Sequence, residues 1–327
     1  MKLFILASLL ASIYATFTVK YTHNVPFIAE IYNIDVNHIS PSTLCDLQYI
    51  FRATPVLVFK NQTITPEKQF EFCKNFDPNY TDEVVHPFKD TVIPTTPQIA
   101  LRGKGFIKDV FGVKNVEIQN SKMFKYNKVW HQDLVGSKGR LPTLVSSMYM
   151  IETPTVGGST LFSSMEKGYE NMMTASNFEK VKYNNLLCCY STKHAFDAEI
   201  DNTGYGRIDK YWSNDNQHFR EYIENVVVQP LVAYPDSRST KKCIMLTPNK
   251  FYSFLGIEQH KSQEMMRNIM RKYVLVNDNI GEVIYEKGDL LIFNNRRVIH
   301  TSTPTEEIQG TRIFSLLFLD TMEKIIR

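Results

Sequence analysis

Short apolar runs, not long periodic stretches, fill the second half of this chain. Val145 to Ile151, Ser159 to Phe162, Val226 to Tyr234, Lys242 to Leu246, Leu290 to Phe293 and Ile313 to Leu319 are all of strand length, and Gly, Pro, Asn or Asp separates many of them. Many short strands with few helices argue for a sandwich or a barrel. The expected fold class is mainly β with flanking helices, a double-stranded β-helix (cupin-like jelly roll) whose open mouth can hold a metal and a ligand. Val56 to Phe59 is a further strand-like run. Thr65-Pro66 then starts a helix, with Thr as N-cap and Pro at the first helical position. Phe70, Cys73 and Phe76 recur on its inner side. Met266, Ile269, Met270 and Tyr273 recur at i, i+3, i+4 and i+7, which marks a second amphipathic helix. Such a methionine stripe reads as core packing.

The bulk properties set the frame. A chain of 327 residues, 43% hydrophobic and 22% charged, can bury a large core. It shows no repeat and no Pro/Gly/Ser-rich linker, so residues 16–327 are expected to form one domain. The net charge of +3 is small and no basic stripe with interleaved aromatics appears, which argues against nucleic acid as a partner. Met1-Lys2 followed by an apolar stretch from Leu3 to Ala15 reads as a signal peptide over residues 1–15, and so as entry to the secretory pathway. The alternative is an extra apolar strand on a cytoplasmic chain. The stretch is too short for a stable membrane span. Asn61-Gln62-Thr63 and Asn79-Tyr80-Thr81 are glycosylation sequons, meaningful only on the secretory route. Five cysteines do not make a disulfide framework. Cys45 and Cys73 fall on expected helices as core thiols, and adjacent Cys188-Cys189 has no zinc-type spacing.

Three residues carry the chemistry. His131 and Asp133 sit in Trp130-His131-Gln132-Asp133, and His300 closes Asn295-Arg296-Arg297-Val298-Ile299-His300 after the Gly288-to-Phe293 run. Two histidines and one carboxylate form the facial triad that binds Fe(II) and leaves three positions open. A chelating cosubstrate can take two of them and O2 the third. Arg312 follows His300 by twelve residues and opens the last apolar run. A guanidinium at the mouth of a barrel strand can grip a carboxylate bidentately, which here would be the distal one of 2-oxoglutarate. Two histidines and an aspartate could also hold a structural or hydrolytic zinc ion. That reading gives Arg312 no task.

The residues together resemble the taurine dioxygenase-like (TauD/TfdA) Fe(II)/2-oxoglutarate-dependent oxygenases. The resemblance runs from about Val25 to Asp320. It rests on Phe27-Ile28-Ala29-Glu30-Ile31, Val56-Leu57-Val58-Phe59, Ile64-Thr65-Pro66-Glu67, His86-Pro87, Trp130-His131-Gln132-Asp133, Gly157-Gly158-Ser159-Thr160-Leu161-Phe162, Asn295-Arg296, His300 and Thr311-Arg312. It implies that His131, Asp133 and His300 bind Fe(II). It places Thr160 beside Arg312 on the distal carboxylate of 2-oxoglutarate, with Asn295 and Arg296 orienting the ligand loop. His86 and Asn127 occupy substrate-facing positions. Two positions depart from the taurine-oxidising pattern: Leu316 stands where an arginine holds the sulfonate, and Lys89 stands where a tyrosine is expected. Leu316 cannot bind an anion, so the resemblance implies the pocket framework without its anion clamp. The implied reaction is hydroxylation of a small organic substrate by O2, with 2-oxoglutarate converted to succinate and CO2. A non-catalytic jelly-roll binding protein is the competing reading, and a homo-oligomer is compatible with either.

Overall fold

Alternation along one strand sets the architecture. In Arg312–Thr321, Ile313, Leu317 and Leu319 join one apolar cluster, while Phe314 and Leu316 join a different one. Successive side chains of a strand point to opposite faces, so this strand has a core on both sides. The computed structural model describes residues 17–22, 25–119, 124–135, 141–191, 199–200, 203–205, 207–208 and 226–327. The apolar stretch 1–15, read as a signal peptide, lies outside the described residues.

The large sheet runs from edge to edge as Thr18–Tyr21, Ile28–Tyr32, Val56–Phe59, Leu290–Asn294, Val145–Glu152, Arg312–Thr321, Thr96–Val110 and Val92–Ile93. Neighbours are antiparallel except Ile28–Tyr32 with Val56–Phe59. That parallel pair needs a crossover, and the helix Pro41–Ala53 supplies it. A smaller sheet orders Ile280–Val283, Thr160–Ser164 and Val298–Ser302. The space between the sheets is filled by Met148, Met150, Phe162, Phe293, Val298 and Phe314. Helices Pro41–Ala53 and Pro66–Lys74 cover the outer face of the large sheet with Leu47, Phe51, Phe70 and Cys73. Helices Met165–Met172 and Gln259–Ile269 bring Met165, Met172, Met266 and Ile269 against Ile299 of the small sheet. The result is a jelly roll with helical flanks, as the short apolar runs predict.

Local chemistry explains the helix starts. Ser40 and Thr65 accept hydrogen bonds from the backbone N–H of Thr43 and Lys68, and a proline follows each cap. Helix Pro66–Lys74 also buries Gln69 against the sheet, where it donates to Ser147 Oγ at 3.2 Å and accepts from the Ser315 hydroxyl. A buried amide is tolerated when its polar atoms are paired.

Three expectations need correction or refinement, and two strands were not expected. Cys45 lies on a helix but is exposed, because the inward stripe passes through Leu47 and Phe51 instead. The run Val226 to Tyr234 breaks into Val226–Pro230 and Val232–Ala233, since Pro230 has no N–H to continue a ladder. Lys242 to Leu246 contracts to Cys243–Ile244. The strands Thr96–Val110 and Val298–Ser302 have no apolar run to announce them: Arg102, Lys104 and Lys108 interrupt the first and His300 the second. Among the described residues no helix is long and apolar enough to cross a membrane.

Candidate active site

His131 and His300 are 169 residues apart in sequence and face each other as a backbone bridge. The His131 N–H donates to the His300 carbonyl at 2.9 Å, and the His300 N–H returns the bond at 3.0 Å. Their rings lie 4.3 Å apart between centroids. Asp133 Oδ1 lies 3.7 Å from Nε2 of each histidine. The three ligand atoms lie within 4.8 Å of one another, close enough to converge on one ion.

Each ligand is held by a different device. His131 Nδ1 sits 2.7 Å from the Val129 carbonyl, which fixes the proton on Nδ1 and leaves the Nε2 lone pair facing the cavity. His300 Nδ1 has no hydrogen-bond partner among the described residues. Its ring is instead clamped between Phe162 and Phe293, at 5.7 and 5.0 Å between centroids. Asp133 Oδ2 accepts from Ser146 Oγ at 2.9 Å, which turns Oδ1 toward the histidines. Asn295 grips the backbone of the same residue, accepting from Asp133 N at 2.8 Å and donating to its carbonyl at 3.1 Å. Gln132, between the ligands, points the other way: it donates to the Asn295 carbonyl and accepts from Thr247 Oγ1.

Burial shapes the electrostatics. Desolvation pushes the His131 imidazole down to about 4, helped by His300, and the His300 imidazole down to about 3. Both are therefore neutral near pH 7, the form that ligates a metal. Desolvation raises the Asp133 carboxyl. A divalent cation would reverse that effect, since a bound metal is the largest charge in such a site. The donor set thus fits Fe(II): two neutral imidazoles and a carboxylate on one side of an open cavity.

That cavity has a volume of about 250 Å³. Arg312, Phe314, Leu316 and Phe318 line it from alternate positions of one strand, with Thr160 and the triad on the facing side. Arg312 is buried and its Nε has no partner among the described residues. Its guanidinium packs on Phe314 at 4.4 Å and lies 5.9 Å from the Tyr285 ring. Desolvation pulls it down to about 10, which still leaves it charged. A buried cation with no acidic partner among the described residues is costly, which suits the site to an anion from solution. Gly158 makes room for it. Its φ is +78°, and a Cβ there would sit 2.9 Å from Arg312 Cδ and 2.8 Å from Pro154 Cγ. These residues fit a 2-oxoglutarate carboxylate held by Arg312 beside Thr160.

Other positions behave differently. Arg296 is fully buried and donates to the carbonyls of Pro142, Pro235 and Glu323 at 2.8 to 2.9 Å, so it ties loops together below the ligands. His86 does not line the cavity: its Nε2 meets the Pro97 carbonyl at 2.8 Å and its ring stacks on Phe88. Its neighbours Pro87 and Phe88 form the wall instead. Asn127 is half-buried and also off the cavity lining, as is Lys89. Sequence reading missed Arg102, Asn249 and Lys250, which all line the cavity. Nothing in the local pattern singles out Asn249 and Lys250, and Arg102 falls on a strand that no apolar run announces.

Fold and site together define a jelly-roll protein with a two-histidine, one-carboxylate metal centre and a buried arginine opposite it. The model of the taurine catabolism dioxygenase TauD, TfdA family matches residues 19–315, and the chain belongs to that family. An alpha-ketoglutarate-dependent xanthine dioxygenase from Neurospora crassa is 21% identical over 349 residues, covering 88% of this chain and 82% of that one. The corresponding enzyme from Schizosaccharomyces pombe is 27% identical over 143 residues, so the match spans a third of its length (33%) and 40% of this chain. An (S)-phenoxypropionate/alpha-ketoglutarate-dioxygenase from Sphingobium herbicidovorans is 23% identical, covering 81% of this chain and 82% of its own. In fold, the chain is similar to a taurine dioxygenase from Burkholderia xenovorans, with a TM-score of 0.67 at 15% identity over 94% of this chain and 91% of the other.

Proposed function

We propose that this chain is an Fe(II)/2-oxoglutarate-dependent dioxygenase that hydroxylates a small organic molecule. The observation that carries the reading is the pairing of two features in one cavity: three convergent ligands and, opposite them, a buried arginine whose Nε has no partner among the described residues. Fe(II) bound there would supply O2 activation, with one oxygen atom going to the substrate and the other to the succinate formed as 2-oxoglutarate loses CO2. The chain's residues do the positioning. His131, Asp133 and His300 confine the metal to one face. Arg312 and Thr160 would orient the cosubstrate from its far carboxylate. Phe124, Phe293 and Phe314 keep water from the reacting atoms. Relatives named for xanthine and (S)-phenoxypropionate support a compact organic substrate. A non-catalytic binding protein of the same fold would have no need of both the ligands and the arginine.

The test is succinate release from purified protein supplied with Fe(II), ascorbate and 2-oxoglutarate. Wild type should form succinate slowly without substrate. His131→Ala or His300→Ala should abolish this, because each removes one of three protein ligands. Activity like wild type in either variant would sink the assignment.

A further inference from the structure

Leu316 leaves one wall of the cavity without the cation that a sulfonate-binding arginine would place there, yet the cavity is not short of positive charge. Arg102 lines it from the adjacent strand, Thr96–Val110. The register pairs Arg102 with Phe314 and Ala100 with Leu316. Directly paired residues share a face of the sheet, so Arg102 emerges on the same side as Phe314 and Leu316. Its guanidinium packs over the Phe88 ring at 4.1 Å from the centroid. No acidic group or hydrogen-bond acceptor among the described residues faces it, and burial alone pulls its affinity for protons down. A stacked, preoriented guanidinium with open donor edges is suited to a bidentate contact with a carboxylate. Arg102 cannot be the cosubstrate clamp as well, since Arg312 holds that place, two residues from Phe314 on the neighbouring strand. Around Arg102 the wall is apolar: Phe88, Met148, Leu316 and Phe318. Ala100, facing Leu316 across the ladder, adds no competing charge.

We propose that Arg102 is the specificity-determining residue of this site, and that the substrate is an organic monocarboxylate with an apolar body, its carboxylate on Arg102 and its body against Phe88, Leu316 and Phe318. The clamp has moved to the neighbouring strand and has not been lost. This rests on the oxygenase reading only for what happens to the substrate after it binds.

The probes are phenoxyacetic, 3-phenylpropanoic and hexanoic acids, each compared with its neutral primary amide. Binding is measured by calorimetry on the full chain loaded with Mn(II) and 2-oxoglutarate. At least one acid should bind the wild type about tenfold or more tightly than its amide, since a hydrogen bond to a charged group is worth roughly 1.5–3 kcal/mol. In Arg102→Met and Arg102→Gln that preference should fall to within about twofold, with the amide's affinity and 2-oxoglutarate binding unchanged, and Arg102→Lys should recover part of it. Unchanged 2-oxoglutarate binding shows that the cavity is folded. If no acid outbinds its amide in the wild type, or if the preference survives in both Arg102→Met and Arg102→Gln, the proposal fails. In the second case a different group holds the carboxylate. Succinate formation with Fe(II) separates the two readings: an Arg102-dependent acid preference without any turnover sinks the oxygenase and leaves the clamp standing. Turnover without an acid preference does the reverse.

Discussion

Arg312 shows how one side chain can be legible in sequence and still need a structure to explain it. Its spacing from His300 marks it as the expected cosubstrate clamp, and what supports that proposal is a buried Nε with no partner among the described residues. Arg312→Ala should therefore raise the 2-oxoglutarate requirement steeply, by on the order of 2–5 kcal/mol in binding, because a buried carboxylate would lose its counter-charge. Mn(II) binding should stay near wild type, as the triad is untouched. An unchanged 2-oxoglutarate titration would give the task to another cation. The triad was equally legible, since His-x-Asp and a distant His are chemically specific as a set. Arg102 and Lys250 were not, because a lone basic residue reads as surface until the pairing register, for Arg102, or the turn Pro248–Lys250, for Lys250, brings it to the cavity. His86 differs in the opposite direction: its position fits a motif, but its Nε2 meets the Pro97 carbonyl and its ring stands off the cavity lining.

Strand and helix termini carry constraints of their own. The turn into Thr160–Ser164 places Gly158 at φ +78°, against Pro154 and Arg312. Gly158→Ala adds a left-handed strain of roughly 1–2 kcal/mol and pushes a methyl toward the arginine side chain. The variant should melt earlier and bind 2-oxoglutarate more weakly while still binding Mn(II). Normal cosubstrate affinity would mean that Arg312 has slack there. At the start of helix Pro66–Lys74, hydrogen bonding first from Thr95, and also from the Glu67 backbone and Thr65, holds the Glu67 carboxyl down to about 2 from its usual 4.5. A depressed carboxyl stabilises the fold above the unfolded value and loses that contribution as pH falls toward the folded one. Comparing Glu67→Gln with wild type by urea denaturation should thus show a small deficit at pH 6 that shrinks through the window from 4.5 to 2. Glu67 is exposed, so the deficit should stay below about 1 kcal/mol. A deficit that grows on acidification would reverse the sign of this argument. Both helix starts are readable from Ser40-Pro41 and Thr65-Pro66. The Thr96–Val110 strand is not, because polar residues on its cavity face break up the apolar signal.

The jelly roll assembles the ligands from distant segments, and the backbone bonds between His131 and His300, with the Ser146 and Asn295 contacts to Asp133, hold them in place without a metal. Metal should therefore bind a folded protein and stabilise it by mass action. At a Mn(II) concentration of about 100 Kd the gain is roughly 2.7 kcal/mol, visible as a rise in melting temperature that Asp133→Asn removes. No rise in the wild type would mean that the triad does not hold a divalent ion under those conditions. The overall class was legible because strand-length apolar runs leave few architectures. Which strands pair was not, because the ladder joining Arg312–Thr321 to Thr96–Val110 links residues about 200 apart and leaves no local trace.

The last strand also limits how this protein can change. Arg312, Phe314, Leu316 and Phe318 write the cavity, and Ile313, Leu317 and Leu319, in the gaps between them, write the core. The two texts are interleaved letter by letter. Exchanging a letter such as Leu316 edits one text and spares the other, so new substrates are reachable by point substitution. Inserting or deleting a single residue swaps the texts: the guanidinium would enter the core and isoleucine would face the metal. Lineages of this chain should accordingly vary in spelling at cavity positions such as Leu316 while keeping the strand's length fixed.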